Sequence, residues 1–270
     1  MAQDDLLAAL ESQQVEEQSL VEATFKGTRL INGHSIETRK NGVMDFIIAH
    51  RFGTIDGGGY ELFGLDNATI RIGLEYALTD RLYFGLGRSS FEKTYDGFVK
   101  YRLIRQSRGK GAVPISVTWL SSMSLKTLKD PEYELSAVDR LAYTHQVLLA
   151  SKVTSAFSIQ LMPSWVHRNV IRPEELNNDI FALGMGGRLK INQRLAICVE
   201  YYHQFQQLSE DSRNALAIGF DLETGGHVFQ LQFTNATSMV PKGFITETNN
   251  NFFDGEIHFG FNISRTFQVN

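Results

Sequence analysis

Charged side chains recur at alternating positions within extended runs that are otherwise apolar, and they are the residues of this chain best suited to bind or select a solute. Six are basic and four are acidic: Asp45, Arg51, Arg71, Glu75, Lys100, Arg102, Arg188, Lys190, Glu200 and Asp221. Rings of charge inside a pore choose among solutes, whereas opposite charges on neighbouring strands pair and stabilise a wall. Both interpretations stay open, and the basic excess adds a mild preference for anions if these residues line a lumen.

Catalysis and metal binding have weaker support. Most of the seven histidines stand singly near the ends of extended runs, and the single Cys198 leaves no cysteine zinc site. A hydrolase needs a nucleophile with a base on the same face, but Ser164 and His145 fall on opposite faces by strand parity. Neither a G-x-S-x-G nor an H-E-x-x-H motif occurs. We therefore expect no enzyme activity, and no catalytic residue, metal or cofactor.

The stretch from Ile180 to Tyr202 shows which elements carry the charges. Its two runs, IFALGMGGRLKI and RLAICVEYY, alternate apolar side chains with small or charged ones, which is the two-residue period of a β-strand. Asn192-Gln193 joins them as a tight turn. The apolar face is large and nearly unbroken, while the other face mixes small residues with full charges. This combination is typical of a membrane barrel, with lipid outside and a polar lumen.

Twelve runs from Val43 onward repeat this pattern. They cover residues 44–51, 70–76, 82–87, 99–103, 113–119, 141–150, 157–165, 181–191, 195–202, 216–222, 229–234 and 257–263. Short links alternate with long ones, as the periplasmic turns and extracellular loops of bacterial outer-membrane barrels do. The sequence thus predicts an all-β, transmembrane antiparallel β-barrel of about twelve strands over residues 43–270. Both termini would lie in the periplasm of the bacterial outer membrane.

Aromatic residues supply a further sign of the membrane. Four of them fall near the extracellular rim on the predicted lipid face: Trp119, Tyr143, Trp165 and Tyr201. Tryptophan and tyrosine concentrate at both membrane interfaces, so these residues are expected to form an aromatic girdle. In the closing run, Phe267 stands near the end of a strand, as a terminal aromatic recognised by barrel-assembly machinery would.

The first 42 residues do not follow the wall pattern. Leu6, Leu7 and Leu10 have helical spacing, so residues 4–20 are expected to form a short helix or a mobile tail. Asn32-Gly33 is a turn signal between two basic extended pieces, 24–31 and 34–40. We expect residues 1–42 either to plug the lumen or to hang in the periplasm; fourteen strands is the alternative, if this hairpin joins the wall.

Overall composition adds limits. No run approaches the roughly 18 apolar residues of a spanning helix, and a net charge of −4 gives no reason to expect nucleic acid as a partner. The start, Met1-Ala2-Gln3-Asp4-Asp5, lacks the charged and apolar regions of a signal peptide. It resembles the junction that remains after signal-peptide removal, so we expect a secreted precursor and an added Met1.

Three stretches carry a resemblance to a known family. They are FKGTRLINGHS (25–35), FIIAHRFG (46–53) and FGLDNATIRIGLEYALTDRLYFGLGRSSFEKTYDGFVKYRL (63–103). They resemble a family of outer-membrane β-barrel proteins of Bacteroidota whose domain has no assigned function. The resemblance covers most of the chain. It implies an envelope barrel and transfers no catalytic or binding residue.

Two functions of different classes follow. The first is a porin-like channel for small solutes with a charged lumen, plugged or gated by the N-terminus. The second is a closed structural barrel that serves as a subunit or anchor of an envelope protein complex; an outer-membrane hydrolase ranks third. The expected partners are outer-membrane lipid, the barrel-assembly machinery during biogenesis and, for the second function, other envelope proteins.

Overall fold

The computed structural model describes residues 18–129, 131, 134–171, 177–206, 208–224 and 227–269. Twelve strands of these residues form one closed antiparallel ring. They are β2 (Val43–Thr54), β3 (Ala68–Ala77), β4 (Leu82–Ser89), β5 (Thr94–Ile104), β7 (Ser116–Lys126), β8 (Leu141–Lys152), β9 (Phe157–Arg168), β10 (Asp179–Lys190), β11 (Leu195–Gln204), β12 (Leu216–Thr224), β13 (His227–Thr234) and β14 (His258–Gln268). Each pairs with its neighbours along the chain, and β14 closes the ring on β2, with Gln268 opposite Val43.

The closed ring confirms the predicted twelve-stranded barrel and shows that the alternative of fourteen strands is wrong. Two further strands, β1 (Ser19–Leu20) and β6 (Ser107–Arg108), form a separate two-stranded sheet. The hairpin near Asn32 stays out of the wall: its one isolated bridge joins Arg29 to His34. The main chain of this hairpin forms hydrogen bonds with side chains of the wall instead of pairing with a wall strand.

Some boundaries differ from the prediction. The run predicted from Val113 becomes a strand only at Ser116, because Pro114 lacks the amide hydrogen that a ladder needs. The predicted helix over 4–20 lies outside the described residues up to position 17; its end, Ser19–Leu20, is extended in β1.

The strands alternate between two environments. In β9, every second residue from Ser158 to Arg168 is buried, while the residues between them are exposed or half-buried. Outward positions of the wall carry exposed apolar side chains such as Leu74, Leu86 and Leu161. Inward positions carry polar, charged and small ones. This is the distribution that the period of two predicted, with the apolar face outside.

The two ends of the barrel differ. Links 78–81, 153–156 and 191–194 are short, and we call their side, which also has the longer link 105–115, the turn end. The opposite side is the loop end, with the short link 90–93 and the long links 55–67, 127–140, 169–178, 205–215 and 235–257. The loops carry the 3-10 helices Ile55–Gly64, Phe91–Lys93 and Phe252–Asp254 and the α-helix Pro241–Thr246. Over the described residues, no helix has the length and apolar character to cross a membrane.

Candidate functional site

The ten charged residues singled out by the sequence occupy inward positions of the wall. Eight are buried: Asp45, Arg51, Arg71, Glu75, Lys100, Arg188, Glu200 and Asp221. Arg102 is half-buried. Lys190 departs from the group, because β10 ends at this residue and its side chain is exposed at the turn end.

Two of the basic residues pair with carboxylates on the next strand but one. Arg71 on β3 reaches Asp96 on β5, with its Nη2 2.5 Å and its Nε 2.8 Å from the two carboxylate oxygens. Arg188 Nε lies 3.0 Å from Asp221 Oδ2. Asp96 escaped the sequence analysis because its strand begins five residues earlier than the alternating run. The expected pairing concerned neighbouring strands, whereas each of these ion pairs spans one intervening strand.

Six of the ten contact the N-terminal segment, residues 18–42. This segment leaves the β1–β6 sheet, forms a hairpin against the inward faces of the strands and returns to Val43. The hairpin is closed by Leu30 N donating to Gly33 O at 2.9 Å, so Ile31 and Asn32 form its tip. The turn is therefore one residue earlier than the predicted Asn32-Gly33.

Glu200 on β11 holds the hairpin tip. Its carboxylate accepts from the amides of Ile31 and Asn32 at 3.2 Å each and from Gly33 at 3.0 Å. A Cβ atom at Gly33 would lie 2.2 Å from the hydroxyl oxygen of Tyr202. Glycine is thus required here for close approach to the wall. Its φ is not positive.

The other side of the tip contacts Arg51 on β2. Arg51 Nη2 donates to Asn32 Oδ1 at 2.9 Å, and Nη1 donates to Asn262 Oδ1 at 3.2 Å. The Asn32 side chain also donates to Thr234 Oγ1 at 3.2 Å. The tip is therefore fixed between a carboxylate on β11 and a guanidinium on β2.

The two arms of the hairpin meet acidic residues nearer the turn end. Arg29 Nη2 lies 2.6 Å from Glu75 Oε1, and Arg39 Nε lies 2.6 Å from Asp45 Oδ2. The hydroxyl of Tyr83 lies 2.8 Å from Glu75 and 3.0 Å from Asp45. One buried tyrosine thus links the two carboxylates that receive the arginines of the segment.

Uncharged wall residues that the sequence did not single out bind the main chain of the segment. Gln160 accepts from Ile36 N at 2.6 Å and donates to His34 O at 2.8 Å. Gln230 donates to Leu30 O at 2.9 Å, and Asn262 Nδ2 donates to Ile31 O at 3.0 Å. Their inward parity was visible in the sequence, but an amide side chain carries no charge to mark it.

A loop fills the interior from the other end. In the helix Pro241–Thr246, Phe244 and Ile245 are buried, and the Phe244 ring lies 5.0 Å from that of Tyr202. Burial alone would raise the pKa of the Glu247 carboxyl after this helix, but its ion pair with Lys242 holds that pKa below its ordinary value. Since Tyr202 also contacts the hairpin tip, it stands between the segment and the loop.

The predicted girdle residues lie on the outward face among histidines. Trp119, His145 and Trp165 stack in sequence, with ring centroids 6.3 and 5.2 Å apart. Trp165 Nε1 donates to Asp179 at 2.8 Å. Tyr143 stacks on His167 and Tyr201 on His203 at 6.4 and 6.5 Å. Apolar rings with hydrogen-bonded polar edges suit a membrane interface.

Metal ligands are not assembled in this arrangement. Over the parts of the chain that the structure describes, no group of three or more His, Cys, Asp or Glu side chains is placed to hold an ion.

A closed antiparallel ring with apolar residues outside and charged residues inside defines a membrane β-barrel. The comparison with known families agrees, since a family model matches residues 25–267. The chain belongs to the family described as "Membrane bound beta barrel domain (DUF5777)". This confirms the resemblance as far as a membrane barrel family. No curated protein matches the chain in sequence.

Solved porin structures have a similar fold. The NanC porin in a rhombohedral crystal form is 9% identical with a TM-score of 0.51, over 84% of this chain and 100% of the porin. The KdgM porin is 9% identical with a TM-score of 0.49, over 83% of this chain and 99% of that one. The outer membrane protein Omp33 of Acinetobacter baumannii is 8% identical with a TM-score of 0.46, over 83% and 97%. At such identities the likeness concerns the fold alone.

Proposed function

We propose that this protein is a porin-like channel of the bacterial outer membrane, and that its N-terminal segment plugs the lumen in the conformation described. The observation that carries the proposal is the character of the inner wall. Eight charged side chains are buried there, and six charged wall residues contact the N-terminal segment. An interior that is always filled is stabilised at least as well by apolar side chains, because even paired charges lose their hydration when they are buried.

Withdrawal of the segment leaves a wall that water can hydrate. Glu75, Glu200 and Lys100 would exchange bonds to the segment for bonds to water, at a net cost of about 1.5–3 kcal/mol for each hydrogen bond to a charged group. The porin fold of the similar structures supports a channel as the function of such a lumen. The charge of the uncovered wall is balanced, three basic against three acidic residues, so we expect the preference for anions to be weak.

Orientation is part of the proposal. The short links, the start of β2 and the end of β14 share the turn end, which we assign to the periplasm because outer-membrane barrels carry short turns there. Both termini are then periplasmic. A tag inserted in the loop that contains Phe253, which is 85% exposed, should be labelled on intact cells, while a tag after Asn270 should not.

Planar-bilayer conductance tests the channel. The full-length protein should show little or no steady conductance, and a variant that lacks residues 1–42 should conduct. Heat-modified gel mobility confirms that both are folded. If neither folded protein conducts, the proposal that the barrel is a channel is refuted.

A closed structural barrel is the second candidate, and the number of bonds between segment and wall favours it. Glu200 alone accepts from three amides of the segment. Under this function the segment never leaves, and the barrel anchors partners through its loops or its tail. Crosslinking in cells that recovers a stoichiometric envelope partner, together with absent conductance, would support it.

A further inference from the structure

We propose that the interior of the barrel is a peptide-binding site that recognises main-chain groups, so that the solutes of the channel are oligopeptides. The N-terminal segment occupies this site in place of such a peptide. The inference rests on the proposed function in one respect, namely that the segment can leave. The observation behind it is that wall side chains bind mostly main-chain atoms of the segment.

Wall side chains contact main-chain atoms of the segment more than its side chains. The carbonyl oxygens bound in this way belong to Thr28, Leu30, Ile31, His34, Ser35, Ile36, Glu37 and Thr38, and the amides to Ile31, Asn32, Gly33 and Ile36. Main-chain bonds give a site affinity for any chain of suitable shape, while side-chain contacts give selectivity. Most of the polar contacts of the segment therefore use groups that every peptide has, while its buried apolar side chains Phe25, Leu30, Ile31 and Ile36 add packing that any peptide of similar apolar pattern could supply.

Lys100 on β5 is the clearest example for carbonyl groups. Its ammonium lies 3.0, 3.1 and 3.3 Å from the carbonyl oxygens of Thr28, Ser35 and Glu37. These oxygens belong to both arms of the hairpin. A buried ammonium with three donors is therefore directed at main-chain acceptors of both arms.

Gln160 on β9 is the clearest example for a whole peptide unit. Its side-chain oxygen accepts from the N–H of Ile36, and its side-chain nitrogen donates to the carbonyl of His34. One side chain thus makes the two hydrogen bonds that a residue of a neighbouring strand would make. Thr118 on β7 adds a bond to the Ile36 carbonyl at 3.2 Å. Two-point binding of this kind recognises main-chain groups and does not depend on the side chains of the bound residues.

Selectivity would come from the acidic residues. Glu75 and Asp45 receive Arg29 and Arg39 of the segment, each at 2.6 Å. Both carboxylates are buried. A peptide with basic side chains at these two positions can replace both ion pairs, and one with acidic side chains there cannot. Basic oligopeptides are therefore the preferred class.

Exchange of the segment tests the inference in the full chain. A protease site is inserted between Lys40 and Asn41, which are both exposed, and the protein is cut after folding. Three fluorescent peptides are then added. The first is the native sequence 22–40. The second is an otherwise unrelated hairpin of equal length that keeps the two arginines, Gly33 and apolar side chains at the buried positions 25, 30, 31 and 36, and the third is the same hairpin with aspartates instead of the arginines. Fluorescence anisotropy measures binding.

The unrelated hairpin with arginines should bind within about tenfold of the native sequence, and the aspartate version at least tenfold more weakly. Gln160→Ala should weaken both arginine peptides by about tenfold, since loss of two hydrogen bonds costs about that factor or more. Gln146→Ala is the matched control: this inward glutamine bonds Ser164 and no segment atom, so affinity should not change.

Three results would overturn the inference. They are binding of the native sequence alone, equal binding of the aspartate peptide, and retention of the cut segment against a thousandfold excess of its own sequence. Conductance without peptide binding would refute the peptide site but support the channel. Peptide binding without conductance would support the peptide site but refute the channel.

Discussion

Replacement of Glu200 by glutamine should loosen the plug at its tip. The carboxylate accepts from the amides of Ile31, Asn32 and Gly33 at 3.0 to 3.2 Å. A glutamine keeps one oxygen and turns an NH2 group toward N–H donors, so at least one of these bonds is lost. The wall itself keeps its shape, because the two side chains are nearly isosteric.

The magnitude follows from the bonds lost. A hydrogen bond to a charged group contributes about 1.5–3 kcal/mol, and the lower desolvation cost of the amide offsets part of this loss. We therefore expect Glu200→Gln to weaken docking of the segment by about 2 kcal/mol, which is roughly 30-fold in its dissociation constant.

The assay is release of the segment after cleavage between Lys40 and Asn41, followed by anisotropy of a dye on the segment. Asp96→Asn is the matched control, since this acid pairs with Arg71 and contacts no segment atom in the described structure. It should leave the release rate unchanged. If Glu200→Gln and the control release the segment at the same rate, the carboxylate does not hold the tip and the reasoning is refuted.

Three further changes have defined outcomes. Gly33→Ala should destabilise docking of the segment by about 1–3 kcal/mol, because the added Cβ would lie 2.2 Å from the hydroxyl oxygen of Tyr202. A second substitution, Tyr202→Phe, should recover part of this loss in the release assay, and the absence of any recovery would refute the steric explanation. Phe244→Ala should lower the free energy of unfolding by about 3–5 kcal/mol in urea titrations in vesicles, while Phe253→Ala, at an 85% exposed position, should stay within about 0.5 kcal/mol. The fluorescence of Trp119 and Trp165 should be quenched by lipids brominated near the headgroup more than by lipids brominated at the chain ends, and the reverse order would place them away from the interface.

The wall could be predicted from the sequence because its signal is local. Each strand must show lipid on one face and polar groups on the other, so the period of two appears in every run, including β9 and β10, and the links reveal the order. The ends of some strands differ from the prediction. Strand β7 begins at Ser116, after Pro114, and β5 begins at Thr94, five residues before its alternating run.

The filling of the interior could not be predicted in the same way. Bonds such as Glu200 to Gly33 join residues far apart in the chain, and no local pattern encodes them. The basic residues Arg29 and Arg39 did indicate that the segment avoids lipid, and two acceptors for them, Glu75 and Asp45, were singled out on the wall. Their pairing needed the three-dimensional register.

Amide side chains and the loop helix escaped the sequence analysis for another reason. Gln160, Gln230 and Asn262 stand at inward positions, but a polar inward residue is expected in any barrel, and only its contact with a main chain distinguishes it. The helix Pro241–Thr246 is too short to show a helical period. Its Phe244 and Ile245 are buried in the apolar cluster that also contains Leu30 and Ile31 of the hairpin.

The central claim is that the N-terminal segment closes a channel, and single-channel recording during cleavage tests it most directly. The protein with a protease site between Lys40 and Asn41 is inserted in a planar bilayer, and protease is added to the side of the turn end. We predict a silent baseline, followed by stepwise conductance as individual segments leave. A baseline that stays silent after complete cleavage and release of the segment would contradict the claim, as would steady conductance before any protease is added.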